Sequence, residues 1–257
     1  MQQNGNSRFV LKQVETRQEM DAVMDVIWVA NYDPYEPFAQ LVFPVLGYTE
    51  RDRELAVQES KTRFWNIHQK DPSSHWYYIA DSKTGQAVGC GQWQMFEESP
   101  FKGGGPKMQA PWWPEGECRE FCESILNQVY KPRETWMRKP HFALNWLAVL
   151  PAYRRAGIAS LILSHGISLA DSKEFECFLE SSAMGKQLYG KFGFRSLSQV
   201  NFDTRRTASS GASNEDTDAW RKCVHELTPE PVTAMWRPKQ GVWVVDGKEI
   251  AKPCHVA

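Results

Sequence analysis

The sequence predicts a mixed α/β (α+β) fold, with a central sheet of about six to seven strands flanked by helices. Two observations carry this. From residue 9 to residue 96 the apolar patterning runs strand, helix, helix, strand, strand; from residue 142 to residue 181 it runs strand, helix, strand. The second order favours a parallel pair joined by a crossover. A length of 257 residues suits one domain with insertions better than two.

Phe9 to Val14 reads as the first strand. Thr16-x-x-Glu19 is a capping box, and Met20, Val23, Met24, Ile27 and Trp28 follow at helical spacing, giving an amphipathic helix that ends near Asn31. Asn31 to Tyr48 carries Pro34, Pro37, Pro44 and Gly47 among Tyr32, Tyr35, Phe38 and Phe43, the composition of either a lid over a pocket or a packed connection. A second helix runs from about Glu50 to Gln69, with Asp71-Pro72 as its stop. His75–Asp81 and Gln86–Phe96 are strands joined by Ser82-Lys83-Thr84-Gly85, a hairpin signal.

Glu97 to Gly116 is an irregular insertion, with a flexible Gly103-Gly104-Gly105-Pro106 turn and Trp112-Trp113-Pro114. Cys118, Phe121, Cys122, Ile125, Leu126 and Val129 mark a third helix, leading through Lys139-Pro140-His141 into an apolar central strand, Phe142 to Leu150. Pro151 has no N–H to donate and ends that strand's pairing. Ile158, Leu161, Ile162 and Leu169 then place a helix that starts inside Arg154–Ser160. Glu174–Ser181 and Phe194–Asp203 are further strands, and Pro231–Arg237 is the last core strand, paired with Phe194–Asp203. Between them, Thr204 to Asp218 is too polar to offset the entropy of ordering and is expected to be a mobile loop, followed by a short helix around Ala219–Leu227. Val242–Val245 and Glu249–Ala251 flank Asp246-Gly247 as a terminal hairpin.

Thirty basic against thirty-one acidic residues give a formal charge of −1, which argues against nucleic acid as the main partner. No run of 18 apolar residues exists, and the polar start Met1–Arg8 lacks the apolar core of a signal peptide, so a soluble, cytoplasmic protein without a membrane partner is expected. The six cysteines show neither a CxxC pair nor zinc spacing and are expected to be reduced thiols, with no metal bound. Cys118 and Cys122 share a helix face. The eleven tryptophans are expected mainly in the core.

The stretch with chemistry in it is Val149-Leu150-Pro151-Ala152-Tyr153-Arg154-Arg155-Ala156-Gly157-Ile158-Ala159-Ser160. A strand ends, a loop turns and a helix begins. The first amides of a helix have no intrahelical partner and coincide with the positive end of its dipole, so they bind anions. Gly157 and Ala159 keep bulk away from that backbone, and Arg154 and Arg155 add positive charge suited to phosphate.

Val149-x-Pro151-x-x-Arg154-x-x-Gly157-x-Ala159 resembles motif A of the GNAT superfamily of acyl-CoA-dependent acetyltransferases, whose core is Gln/Arg-x-x-Gly-x-Gly/Ala. Leu179 to Phe194, ending Leu188-Tyr189-Gly190-Lys191-Phe192-Gly193-Phe194, resembles motif B of the same superfamily. The Asp81…Thr84-Gly85…Gly89…Trp93 pattern is similar to a stretch of GNAT proteins common in filamentous fungi. The resemblance covers residues of about 8–237 and implies a GNAT fold with a splayed central parallel pair.

It also implies a site. Acetyl-CoA would be the co-substrate, its diphosphate held by Arg154, Arg155, Ala156, Gly157, Ile158, Ala159 and Ser160. Backbone N–H groups around Leu147, Ala148 and Val149 would meet the thioester carbonyl. Tyr189, at the motif-B tyrosine, would protonate the departing thiolate, a phenol of pKa near ~10 facing a thiol of around ~8.5. Ser182 stands where many members carry Asn against the pantetheine arm. The loop 31–48 would border the acceptor site, as a lid. The base stays open among Glu97, Glu98, His141, Glu180 and water. The expected activity is N-acetyl transfer to a small-molecule amine by direct attack in a ternary complex, by a monomer or homodimer. A protein lysine or amino terminus as acceptor, or a non-catalytic acyl-CoA-binding module, are the alternatives.

Overall fold

A computed structural model of the protein describes residues 8–206 and 217–253. Most of the polar segment 204–218, the first seven residues and Cys254 lie outside the described residues. The sheet has seven strands: β1 (Phe9–Gln13), β2 (Ser74–Asp81), β3 (Ala87–Phe96), β4 (His141–Val149), β5 (Glu176–Ser181), β6 (Arg195–Val200) and β7 (Val232–Arg237), in the order β1-β2-β3-β4-β5-β7-β6. Among the described strands of this sheet, β4 and β5 pair in parallel and the other neighbours pair antiparallel. A small hairpin, β8 (Val244–Val245) and β9 (Lys248–Glu249), follows.

The helices are α1 (Arg17–Tyr32), α2 (Pro37–Val42), α3 (Glu50–Lys70), α4 (Glu117–Trp136), α5 (Ile158–Ser172), α6 (Lys186–Lys191) and α7 (Asp218–Leu227). The capping box at α1 forms as the sequence indicates, with Thr16 Oγ1 accepting from Glu19 N and Glu19 Oε2 from Thr16 N. A second box, Thr49 with Asp52, opens α3. Met20, Ile27, Trp76 and Phe121 are buried in one apolar cluster, and Trp93, Phe142, Leu163 and Leu179 in another that includes α5. Among the described residues, no helix is long and apolar enough to cross a membrane.

The segment 31–48 departs from the lid expected of it. Pro37 opens α2, where a missing N–H costs nothing. Leu41 and Phe43 behind it are 0 % and 2 % exposed, with the Phe43 ring against Trp28, Phe64 and Trp146. The insertion is fastened to the same place: the indoles of Trp112 and Trp113 and the thiol of Cys122 all donate to the Leu41 carbonyl, at 2.8, 2.9 and 3.2 Å. The middle of the segment is thus a packed connection, whereas Tyr32, Tyr35 and Phe38 are half-buried and Leu46 and Tyr48 are exposed.

The Asp81 to Trp93 pattern has a structural explanation. Buried Asp81 accepts from the Lys83 amide at 3.0 Å and from the Arg8 guanidinium at 2.6 and 3.0 Å, closing the hairpin turn. Its far end lets α5 lie close on β3. A Cβ on Gly89 would come within 2.4 Å of Ile158 Cγ2, and one on Gly166 within 2.2 Å of the Trp93 indole. Gly166→Ala is therefore expected to lower stability by about 1–3 kcal/mol through overpacking, read as a fall in the denaturation midpoint at unchanged slope. A neutral substitution would mean that Trp93 can retreat.

Candidate active site

The loop after β4 makes a short 3₁₀ turn at Pro151–Tyr153, in which Tyr153 N donates to Leu150 O (2.9 Å) and Arg154 N to Pro151 O (3.2 Å). Past it, Arg155 and Gly157 take left-handed backbone conformations, φ 67° and 80°. Turns of this kind point successive N–H groups toward one concavity. The first helical bond of α5 is Leu161 N to Gly157 O at 3.2 Å. The amides of Arg155 through Ser160 thus donate to no protein carbonyl among the described residues, and they stand at the positive end of a 15-residue helix. Ile158 anchors the helix start in the core at 1 % exposure, whereas a Cβ on Gly157 would meet nothing within 4 Å. The concavity is open.

Arg154, read on the sequence as a phosphate-binding residue, has a protein partner here. Its amide is spent in the 3₁₀ turn, and its Nη2 donates to Ala30 O at 3.0 Å, in the last turn of α1. It ties the loop to that helix end, where a cation is electrostatically favoured. Arg155 is exposed and adjacent to the free amides.

Above the loop the parallel pair parts. The β4–β5 register runs from His141↔Glu176 to Leu144↔Leu179 and stops, while β4 continues to Val149. On the other edge the β3 register jumps from Gln92↔Trp146 to Trp93↔Leu144, so Asn145 forms a β-bulge. Leu150 N donates to Val88 O at 3.0 Å. Strand alternation then turns the amide of Ala148 toward β3 and those of Leu147 and Val149 toward the gap. Ala148, counted with them on the sequence, is a ladder residue with a buried side chain.

Tyr189 sits on α6, half-buried against the second apolar cluster, its ring edge-on to Phe194 at 6.2 Å. Burial pushes its phenol up to about 12. Ser182 is exposed at the turn before α6; its Oγ accepts from Gly185 N at 3.4 Å.

A partly buried hydrogen-bonded ribbon crosses the sheet at the parting point. Arg133 of α4 donates to both carboxylate oxygens of Glu180 on β5, at 2.9 and 2.6 Å, and to Asn145 Oδ1 at 2.8 Å. Asn145 Nδ2 donates to Gln94 Oε1 at 2.7 Å, and Gln94 Nε2 to Asp71 Oδ2 at 2.9 Å. Both side chains of the ion pair are 7 % exposed. Arg133 and Asn145 were not singled out on the sequence, yet a signal exists: Arg133 falls four residues after Val129, on the buried stripe of α4, and Glu180 interrupts the apolar run Cys177-Phe178-Leu179.

Glu180, a candidate base on the sequence, is not a free carboxylate, because each of its oxygens accepts a bond from the Arg133 guanidinium. Glu97 and His141 are removed by topology. Phe96 pairs with His141 at the start of β4, so both residues, and Glu98 with them, sit at the strand end opposite the loop, roughly 25 Å away along the strand. His141 is moreover fully buried among Phe96, Phe101 and Phe178, its imidazole pushed down to about 4 by desolvation. Among the described residues no group of His, Cys, Asp and Glu could hold a metal ion.

The structure thus combines a sheet parted at its parallel β4–β5 pair with helix-N-terminal amides that, among the described residues, have no protein carbonyl as partner. The sequence model of the acetyltransferase (GNAT) family matches residues 46–194, more than half of the chain, and the chain belongs to that family, whose acyl donor is acetyl-CoA. No curated protein matches it. Among solved structures, the fold is similar to a histone acetyltransferase HPA2 and related acetyltransferase from Corynebacterium glutamicum (TM-score 0.55, 18% identity, 91% of this chain and 97% of that one). It is similar also to a mosquito arylalkylamine N-acetyltransferase-like protein 5b (0.52, 15%, 90% and 99%). A third is the C-terminal condensation domain of Ebony in complex with β-alanyl-dopamine (0.53, 14%, 90% and 98%).

Proposed function

We propose that the protein is a cytoplasmic N-acetyltransferase that moves the acetyl group of acetyl-CoA to the primary amine of a small molecule, by direct attack in a ternary complex. The observation that carries the reading is the row of unpartnered amides from Arg155 to Ser160 beside an open Gly157. They would hold the diphosphate, with Arg155 adding charge and Ser182 Oγ within the strand-end turn that borders the pantetheine arm. The bound thioester supplies an activated acyl group. The amides of Leu147 and Val149 would donate to the oxygen that gains charge during transfer. Tyr189 would return a proton to the departing sulfur.

A small acceptor is supported by the closed acceptor side, where α2 is packed and the insertion 97–116 is clamped on Leu41, narrowing any groove for an extended peptide. Half-buried Phe38 and Trp146, ring centroids 6.2 Å apart, suit an aromatic or amphipathic amine. The reading takes the chain as one domain, monomer or homodimer, and the Asp81 to Trp93 pattern supports a place among GNAT proteins of filamentous fungi.

Thiol release from acetyl-CoA, measured across small amines and lysine or amino-terminal peptides, tests it. Turnover confined to small amines is expected; turnover confined to peptides would move the assignment to protein acceptors, and binding without release would make the chain an acyl-CoA sensor. Tyr189→Phe is expected to lower kcat about 10²-fold with little change in KM for acetyl-CoA. Because the raised phenol stays protonated below about 12, kcat should show no loss of the acid up to about pH 10, where an ordinary tyrosine is half ionised.

A further inference from the structure

Two thiols 105 residues apart meet where α4 and α7 pack together. Cys118, in the first turn of α4, and Cys223, in the middle of α7, hold their sulfurs 2.8 Å apart. A disulfide bond is about 2.05 Å long, so bonding requires a further approach of only about 0.75 Å. The other described cysteines are elsewhere engaged or enclosed: Cys122 Sγ donates to Leu41 O at 3.2 Å, Cys90 Sγ to Val23 O at 3.7 Å, and Cys177 is fully buried.

We propose that Cys118 and Cys223 are a redox-modification site, closed to an intramolecular disulfide by a hydroperoxide. The two partners are unequal. Cys118 is half-exposed, whereas Cys223 is 2 % exposed and its thiol is pushed up to about 12, first by burial and then by its neighbour. The Cys118 thiol ionises and its thiolate attacks an oxygen of hydrogen peroxide; the O–O bond breaks, a sulfenic acid forms, and the departing hydroxide takes up the proton that the thiol released and leaves as water. The Cys223 sulfur then displaces the sulfenic hydroxyl, the S–S bond forms as the S–O bond breaks, and the Cys223 proton leaves with the hydroxyl as a second water. Two thiols lose two electrons and the peroxide gains them. The bond covalently joins α7, which packs on both α2 and α4, to the helix that carries Arg133.

The test treats the full chain with one equivalent of hydrogen peroxide, alkylates under denaturing conditions without reductant, and maps the peptides. The expected product is about 2 Da lighter than the reduced chain, contains one cross-linked pair holding Cys118 and Cys223, and reverts with dithiothreitol. It should also melt higher than the reduced chain, because a long loop is closed in the unfolded state. Cys118→Ser should abolish the cross-link and leave Cys223 alkylated; Cys223→Ala does the converse and guards against a buried serine unsettling α7. The proposal is overturned if both cysteines stay alkylated, if Cys118 advances to a sulfinic acid while Cys223 remains free, if a different pair is linked, or if the cross-linked chain melts lower.

Discussion

Gly157→Val is expected to raise the dissociation constant for coenzyme A by on the order of 10³-fold while the chain stays folded, a separation of effects that the surroundings of Gly157 dictate. Its φ of 80° strains a β-branched residue by about 1–3 kcal/mol, a loss that a domain stable by about 5–15 kcal/mol tolerates. Space is available at its Cβ, which would meet nothing within 4 Å. The new side chain projects beside the free amides of Arg155 to Ser160, where a diphosphate would otherwise accept several charge-assisted bonds of about 1.5–3 kcal/mol each. Gly157→Ala should fall between the two. Titration calorimetry with coenzyme A, alongside thermal denaturation, reads both quantities, and unchanged affinity in the valine variant would place the diphosphate elsewhere. Arg154→Ala is the control: with its guanidinium on Ala30 O, its loss should slightly loosen the loop and leave coenzyme affinity within about threefold.

The parts of this molecule that a linear reading reaches are those whose cause is local. The Thr16 capping box, the stripe Met20–Val23–Met24–Ile27, and the strand–turn–helix around Pro151 each carry their signal within a few residues, and each stands where its pattern puts it. The order strand, helix, strand likewise suffices for the parallel β4–β5 pair. The failures are all relations between distant segments. Glu97 and His141 looked eligible because charge and imidazole are visible in the sequence, whereas the end of the sheet they occupy follows from strand direction. An antiparallel β3–β4 pair puts the last residue of one beside the first of the other, so that error was avoidable. The prolines of segment 31–48 read as irregular, although Pro37 is tolerated at a helix start. Arg154 and Arg155 are indistinguishable by type; only the fold turns one toward α1. The Cys118–Cys223 meeting left no periodic trace, since the two sit on helices separated by most of the active-site machinery.

Arg133→Met is expected to destabilise the chain by about 3–5 kcal/mol, more than any surface ion pair here would cost. The reason is the partner left behind. Glu180 is 7 % exposed, and without the two Arg133 bonds of 2.9 and 2.6 Å its carboxylate is buried unpaired. Glu180→Gln in the wild-type background should cost less, because an amide still accepts from Arg133, and the double variant Arg133→Met/Glu180→Met should recover much of the single loss, as buried pairs replaced by apolar groups of like volume usually do. The double variant also addresses the gap itself. β4 and β5 stop pairing one residue short of Glu180 on one side and of Asn145 on the other, and the guanidinium bridges those two residues across the break. If the ribbon holds the strands apart, the stable double variant should fold and bind coenzyme A at the Gly157 loop with little loss, yet show a reduced kcat, because the Leu147 and Val149 amides are no longer held toward the gap. Denaturant midpoints, coenzyme affinity and single-turnover rates on the same three proteins separate these effects. A double variant with wild-type kcat would mean that the Asn145 bulge alone keeps the gap open, since the bulge misaligns β4 from its neighbour whether or not a charge pair bridges the break.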